Sequence, residues 1–289
     1  MPVPAFPSAS EAKHEEGFLH SADHLRLYWQ RYTPPSARAT VAVLHGGGDH
    51  SGRYPGLTAA LVRAGFEAAL VDFRGHGQSD GRRWHVDSFS DYLADLDAFL
   101  AKLRADGPRG GKLFLAGHSQ GSLIAVSWAL ARGRDVAGYV LSSPYLRLAM
   151  KPSVVKVAGA RLMGRVIPWL PVSTGMDLKD LTSDVELQRW TERDPLFGRA
   201  TTPRWFDEST RAQEEVLRRP ADFTAPVLVL AAGADRIADP TATERWFEAL
   251  GSQDKQLRVY AGFRHEIYNE VERERPLGEA VAWLLARAP

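Results

Sequence analysis

Leu113-Phe-Leu-Ala-Gly117-His118-Ser119-Gln120-Gly121 constrains this chain more than any other stretch. A short apolar run of buried-strand type enters a G-x-S-x-G pentapeptide, and a helical pattern over 121–131 follows at once. A serine between such a strand and such a helix sits on a sharp, strained turn and stands clear of the sheet edge. Its flanking glycines let the backbones of strand, turn and helix come close. The helix N-terminus also aims free N–H groups at any negative charge that develops there. The stretch therefore implies an α/β architecture with Ser119 as its nucleophile.

The rest of the chain keeps the same rhythm. Residues 17–19 and 25–32 read as an opening strand pair. Strands follow at 40–44, 67–72, 112–116, 136–141, 227–231 and 256–260. Helices are expected at 54–64, 89–103, 121–131, 243–250 and 276–288, the second capped by Asp87 or Ser88. Strand–helix alternation of this kind predicts right-handed crossovers and a mainly parallel central sheet flanked by helices. The rhythm stops between Tyr145 and Asp222, where Pro, Trp, Leu and Arg dominate. We therefore expect a core at 15–145 and 223–289 and a helical cap, 146–222, inserted after the sixth strand. Residues 1–14, with three prolines and small residues, read as a loose tail and not as a secretory leader.

A serine hydroxyl needs a base. Eight of the nine histidines precede Ser119 and only His265 follows it. On an elbow of this kind the acid and then the histidine come after the serine, so the base is His265. It lies just past the strand 256–260, at the sheet edge where such folds bind ligands. The group that orients the imidazole should end another strand between the two. Asp235, in Gly233-Ala-Asp235, fits. Asp239 competes, although it also suits the cap of the next helix.

Val43-Leu-His45-Gly46-Gly47-Gly48-Asp49-His50-Ser51-Gly52-Arg53-Tyr54 admits three readings. A phosphate loop fails, because neither G-x-x-x-x-G-K-[ST] nor G-x-G-x-x-G is complete. A metal site would use His45, Asp49 and His50, but a third histidine at suitable spacing is missing. An oxyanion loop fits best. Glycines lacking Cβ bring backbone amides close to an acyl oxygen, and the amide after the nucleophile, that of Gln120, supplies the second donor.

Five boxes in order give a resemblance that covers nearly everything after the tail. His45 to Tyr54 is similar to an HGxGEHSGRY box, and Asp72-Phe-Arg-Gly75-His76-Gly77-Gln-Ser-Asp-Gly81 to D-x-x-G-H-G-x-S-x-G. Gly117 to Gly121 resembles GHSMG. Gly233 to Arg236 and His265 to Glu270 resemble acid and histidine motifs. Together they resemble the monoacylglycerol lipase and lysophospholipase group of α/β-hydrolases. The resemblance implies an α/β-hydrolase fold and a triad of Ser119, Asp235 and His265. It implies oxyanion amides on Gly47 and Gln120, and no cofactor or metal. Departures are Asp49 for Glu, Gln120 for Met, Ser122 for a glycine and Gly47 for alanine. Asp72 and His76 are expected to brace the site through hydrogen bonds.

The implied activity is hydrolysis of carboxylic esters through an acyl-enzyme, on monoacylglycerols, lysophospholipids or smaller esters. A thioesterase, an amidase, a cofactor-free haloperoxidase or a non-catalytic ligand-binding relative are the alternatives. Lys and Arg number 36 against 35 Asp and Glu, which gives no general attraction to nucleic acid. Zero cysteines exclude disulfides and thiol chemistry and suit the cytoplasm. The chain shows no apolar run long enough to span a bilayer. In the cap, Arg147, Lys151, Lys156, Arg161 and Arg165 are interspersed with Val154, Val155, Val157, Leu162, Val166, Ile167, Trp169 and Leu170. We expect a solvated basic face with an apolar face on the pocket. The alternative is an interfacial lid in transient contact with membrane or lipid aggregates. Trp190, Trp205 and Phe206 are candidates either for packing or for lining the pocket.

Overall fold

A computed structural model describes residues 12–107, 111–133, 135–149, 163–164 and 166–288. In chain order the core begins with β1 (Lys13–His20), β2 (Arg26–Thr33), β3 (Ala39–Leu44), α1 (Pro55–Arg63), β4 (Phe66–Val71) and α2 (Phe89–Ala105). It continues with β5 (Leu113–His118), α3 (Gln120–Arg132) and β6 (Gly138–Ser142). Next come β7 (Val172–Ser173), α4 (Leu178–Leu181), α5 (Val185–Arg193), β8 (Ala200–Thr201) and α6 (Pro203–Arg218). The chain closes with β9 (Val227–Ala232), α7 (Pro240–Glu248), β10 (Lys255–Tyr260) and α8 (Glu274–Leu285).

Eight strands form one sheet in the order β1-β2-β4-β3-β5-β6-β9-β10. The β1–β2 and β2–β4 pairs are antiparallel, and every other pair in this sheet is parallel. Strands β3, β4, β5, β6 and β9 are buried along their whole length. Their continuous apolar runs are what a sheet covered on both faces requires. Alternate residues separate into two cores. Ala42, Leu44, Leu115, Leu141 and Val229 pack with α2 and α3. Val41, Val43, Phe114, Val140 and Leu228 pack with α1 and α8. This is the period of two along each strand expressed as packing.

Strand order reverses at β3, which has β4 on one side and β5 on the other. The crevice at such a switch point is where open α/β sheets bind ligands. The loops leaving β3 and β5 are the HGGG loop and the serine elbow. Leu44 is registered opposite Gly117, so both loops start at the same height.

Two expectations need correction. The loose tail does not extend to residue 14, because Lys13 and His14 pair with Thr33 and Tyr32. That strand carries no apolar alternation to announce it. It is held by its ladder and by cross-strand side chains: Glu15 pairs with Arg31 at 2.9 Å, and His14 stacks on Tyr32 at 4.4 Å. Residues 1–11 lie outside the described residues. The second correction concerns the cap. Val166, Ile167, Trp169 and Leu170 do not face inward. Val166 is 64% and Trp169 50% exposed, and Ile167, Leu170 and Val172 are exposed as well. The other named cap positions Lys151, Val154, Val155, Lys156, Val157, Arg161, Leu162 and Arg165 lie outside the described residues. Between β6 and β9 the described chain adds no strand to the main sheet; β7 and β8 pair only with each other.

Candidate active site

The elbow between β5 and α3 has the strain expected of it. Ser119 takes φ 51° and ψ −115°, a left-handed conformation unusual for a residue with a side chain. Both flanking glycines are needed for space. A Cβ on Gly117 would lie 2.7 Å from the Gly121 carbonyl oxygen, and one on Gly121 only 2.1 Å from that of Leu44. The strained turn is pinned by Ser119 N–H to Ser142 O at 2.9 Å and by Tyr145 N–H to Ser119 O at 3.2 Å.

His265 Nε2 lies 2.8 Å from Ser119 Oγ, and Nδ1 lies 2.7 Å from Asp235 Oδ2. These partners define one arrangement: Nδ1–H donates to the carboxylate, and the Nε2 lone pair faces the serine hydroxyl. Asp235 is itself oriented, since its Oδ1 accepts the amides of Ile237 at 2.8 Å and Ala238 at 2.9 Å. Asp239 is elsewhere. It caps α7, accepting from Thr241 N–H at 3.0 Å and Ala242 N–H at 3.3 Å. The structure thus brings Ser119, His265 and Asp235 together and gives Asp239 a capping role.

Burial by itself disfavours the His265 imidazolium, but Asp235, Glu266 and Asp49 more than offset this and raise its pKa above the usual imidazole value. The neighbouring histidines go the other way. Burial pushes His76 and His118 down to about 3, so both are neutral. His118, inside the elbow, is fixed by Nδ1 to Ser142 Oγ at 2.9 Å and by its ring 5.0 Å from that of His265.

The glycine loop lies against this group. A Cβ on Gly46 would be 3.4 Å from Ser119 Cβ. Among the described residues, neither the Gly47 nor the Gln120 amide donates a hydrogen bond. Gly47 is tightly enclosed, since a Cβ there would meet the Trp84 ring at 2.8 Å and Gln120 Oε1 at 2.9 Å. Gly48 has φ 71°, and its carbonyl accepts Gly198 N–H at 2.6 Å. The third glycine is therefore required by its conformation and by the Gly198 segment seated on it. The histidines that suggested a metal have both ring nitrogens engaged. His45 uses Nδ1 on Gly46 O and accepts Phe73 N–H at 2.9 Å, and His50 accepts Gly52 N–H and meets Asp194 at 2.8 Å.

The expected brace is present in Asp72, whose carboxylate takes Ser51 N–H at 2.7 Å and Gln78 N–H at 2.8 Å. His76 contributes through Nδ1 to Arg74 O at 2.9 Å. Trp205 is buried, with its ring 5.2 Å from Trp84 and its indole N–H donating to Gln120 Oε1 at 3.0 Å. Trp190 lies over the Arg53 guanidinium at 4.9 Å, and Phe206 is partly buried against the core.

Sequence reasoning missed three participants. Trp84, at φ 43°, underlies the glycine loop, yet it comes from an irregular segment after β4 that carries no pattern. Glu266 and Arg53 form a buried ion pair at 3.0 Å that joins the histidine loop to the HGGG loop. Both stand inside recognisable motifs, but their pairing spans 213 positions and no local pattern announces it.

Fold, switch-point crevice and serine–histidine–aspartate chain together define an α/β-hydrolase. A family model described as serine aminopeptidase, S33 (Hydrolase_4), matches residues 35–272, and the chain belongs to that family. The chain is 34% identical to a monoglyceride lipase of Homo sapiens, across 88% of this chain and 84% of that protein. It is 31% identical to phospholipase YtpA of Bacillus subtilis, across 82% and 91% respectively. Among solved structures, a monoacylglycerol lipase of Paleococcus ferrophilus superposes with a TM-score of 0.83 at 33% identity, covering 91% of this chain and 99% of that one.

Proposed function

We propose that this chain is a serine hydrolase of carboxylic esters, with Ser119 as nucleophile, His265 as general base and acid, and Asp235 as its orienting carboxylate. The observation that carries the reading is the continuous chain Ser119–His265–Asp235, at 2.8 and 2.7 Å, on a strained elbow. His265 Nε2 takes the Ser119 proton as Oγ attacks the acyl carbon. The carbonyl oxygen becomes an oxyanion, held by the amides of Gly47 and Gln120. His265 then returns the proton to the leaving alcohol, and an acyl-serine remains. Water, deprotonated by the same nitrogen, releases the carboxylic acid and restores Ser119. Each step uses side chains and amides alone, so the chemistry needs no cofactor.

The substrate class we assign is monoacylglycerol or lysophospholipid acyl esters. Relatives named monoglyceride lipase and phospholipase support it. The segment 146–222 serves in this reading as a cap over the core 13–145 and 223–289. Its exposed Val166, Ile167, Trp169, Leu170 and Val172 support transient contact with membrane or lipid aggregates, as an apolar surface offered to an interface does. No helix among the described residues is long and apolar enough to cross a membrane.

Hydrolysis of monoacylglycerols, lysophosphatidylcholine and p-nitrophenyl esters of graded chain length tests the proposal. Activity on the acyl lipids, lost in Ser119→Ala, is expected. Cleavage of p-nitrophenyl acetate alone would refute the lipid assignment, and no cleavage of any ester would refute the hydrolase itself.

A further inference from the structure

The steps above leave a second buried polar group beside the triad unused. Tyr54 Oη accepts Gly46 N–H at 3.1 Å and gives its one proton to Asp49 Oδ2 at 2.6 Å. The other oxygen of Asp49 meets Arg53 Nε at 2.8 Å. The far end of that guanidinium reaches both oxygens of Glu266 at 3.0 Å, and Glu266 follows His265. Every member is buried, and Arg53 is 1% exposed. Three hydrogen-bonded links and one ion pair, that of Arg53 Nε with Asp49, therefore connect the amide before Gly47 to the residue after His265.

That chain joins two loops the sheet does not join. The HGGG loop leaves β3 and the histidine loop leaves β10, with β5, β6 and β9 between them. Both must be placed to within fractions of an ångström. An oxyanion donor acts at 2.7–3.1 Å from the developing charge, and the base must stay within reach of the same serine. Apolar packing across that gap would stabilise equally well without fixing one register. The two bonds from Arg53 Nη2 to the Glu266 carboxylate are directional, and the ion pair to Asp49 holds the other end of the guanidinium. The cap shares the anchor, since Arg53 also donates to Thr191 Oγ1 at 2.9 Å.

We infer that Tyr54 and Arg53 are positioning residues: the chain Gly46–Tyr54–Asp49–Arg53–Glu266 sets the oxyanion loop relative to the histidine loop. The inference rests on Ser119 and His265 acting as proposed above.

Tyr54→Phe removes one oxygen atom and keeps the ring, so it is the informative variant. It is compared with the wild type in p-nitrophenyl butyrate hydrolysis and in inhibition by an alkyl trifluoromethyl ketone, whose adduct with Ser119 carries an oxyanion. Rates are referred to folded protein, measured by circular dichroism. A displaced rather than deleted donor should lower kcat about tenfold, below the 10²–10³ of outright removal. KM should hold within about twofold, while the ketone weakens by the factor lost in kcat. A folded Tyr54→Phe with unchanged kcat and ketone affinity would overturn the relay. Loss of kcat with the ketone still bound at wild-type affinity would overturn it too. Where Tyr54→Phe does not fold, Arg53→Lys is decisive by the same two readouts, because it keeps the charge and loses the fork. A wild type without activity on any ester would overturn the hydrolase reading, a result distinct from an active enzyme insensitive to Tyr54.

Discussion

The indole N–H of Trp205, the third residue of α6, donates to Oε1 of Gln120, the residue that follows the nucleophile, at 3.0 Å. One hydrogen bond thus links α6 to the elbow. It gives the polar side chain beside the nucleophile a buried partner. The Oε1 of Gln120 is thereby satisfied by Trp205.

Breaking that bond from one side should cost more than breaking it from both. Gln120→Met leaves a buried indole N–H unpaired, and thermal unfolding should register about 1–3 kcal/mol of destabilisation. The double variant Gln120→Met/Trp205→Phe should be closer to wild type than the sum of the single changes, with a coupling of about 1 kcal/mol. Strict additivity in the cycle would argue against the bond.

Gly47→Ala should impair catalysis more than folding. The new Cβ would stand 2.8 Å from the Trp84 ring and 2.9 Å from Gln120 Oε1, so the loop must move. Displacing one of two oxyanion donors should lower kcat by about 10-fold to 10²-fold. Trp84→Leu in the same chain should recover part of the loss by making room. A steady-state comparison of the three proteins decides it, and an unimpaired Gly47→Ala would remove Gly47 from the site.

The two candidate acids separate cleanly. Asp235→Asn should lower kcat by about 10⁴, because the amide no longer holds the imidazole in its working tautomer. Asp239→Asn should leave kcat within about twofold, and loss of a helix cap altogether, as in Asp239→Ala, should cost about 0.5–2 kcal/mol in denaturant unfolding. Reversed kinetics would exchange the assignments.

The pH profile follows from His265. Attack needs the neutral imidazole, and the carboxylates around it raise its pKa despite burial. The acid limb of kcat/KM should therefore lie above the ordinary imidazole value of about 6.5. Glu266→Gln removes one of those charges and should move the limb to lower pH. The linkage to stability has the opposite sense: a raised imidazole pKa stabilises the fold fully below about 6.5 and loses that contribution as pH rises through the folded value. A limb at or below 6.5 in the wild type would contradict this.

Gly121→Ala should yield no folded enzyme. Its Cβ would lie 2.1 Å from the Leu44 carbonyl oxygen, a backbone atom of the neighbouring strand that cannot swing aside. Expression trials with solubility as the readout are sufficient, and a soluble, active Gly121→Ala would refute the tight elbow.

Most of the core was legible because its signals are local. Buried parallel strands are continuous apolar runs, and α2 shows its helical spacing and its Ser88 capping box within one segment. The start of β1 is not legible, because an edge strand with two half-exposed faces has no apolar alternation, only pairing partners on the next strand. The exposure of Val166, Ile167, Trp169 and Leu170 is not legible either, because hydrophobicity reports what water disfavours, not which partner is present to cover it.

By itself the sequence determined the elbow, the identity of the base by the order of its histidines, and the glycines that open a loop beside Ser119. Each follows from residue type and local spacing, which steric and helical rules translate directly. Only the tertiary structure decided what those glycines face. Trp84 packs against Gly47, Gly198 binds the Gly48 carbonyl, and Arg53 meets Glu266, 213 positions away. Such contacts depend on how the β3 and β10 ends are placed across three intervening strands, and no local pattern encodes a distance across a sheet.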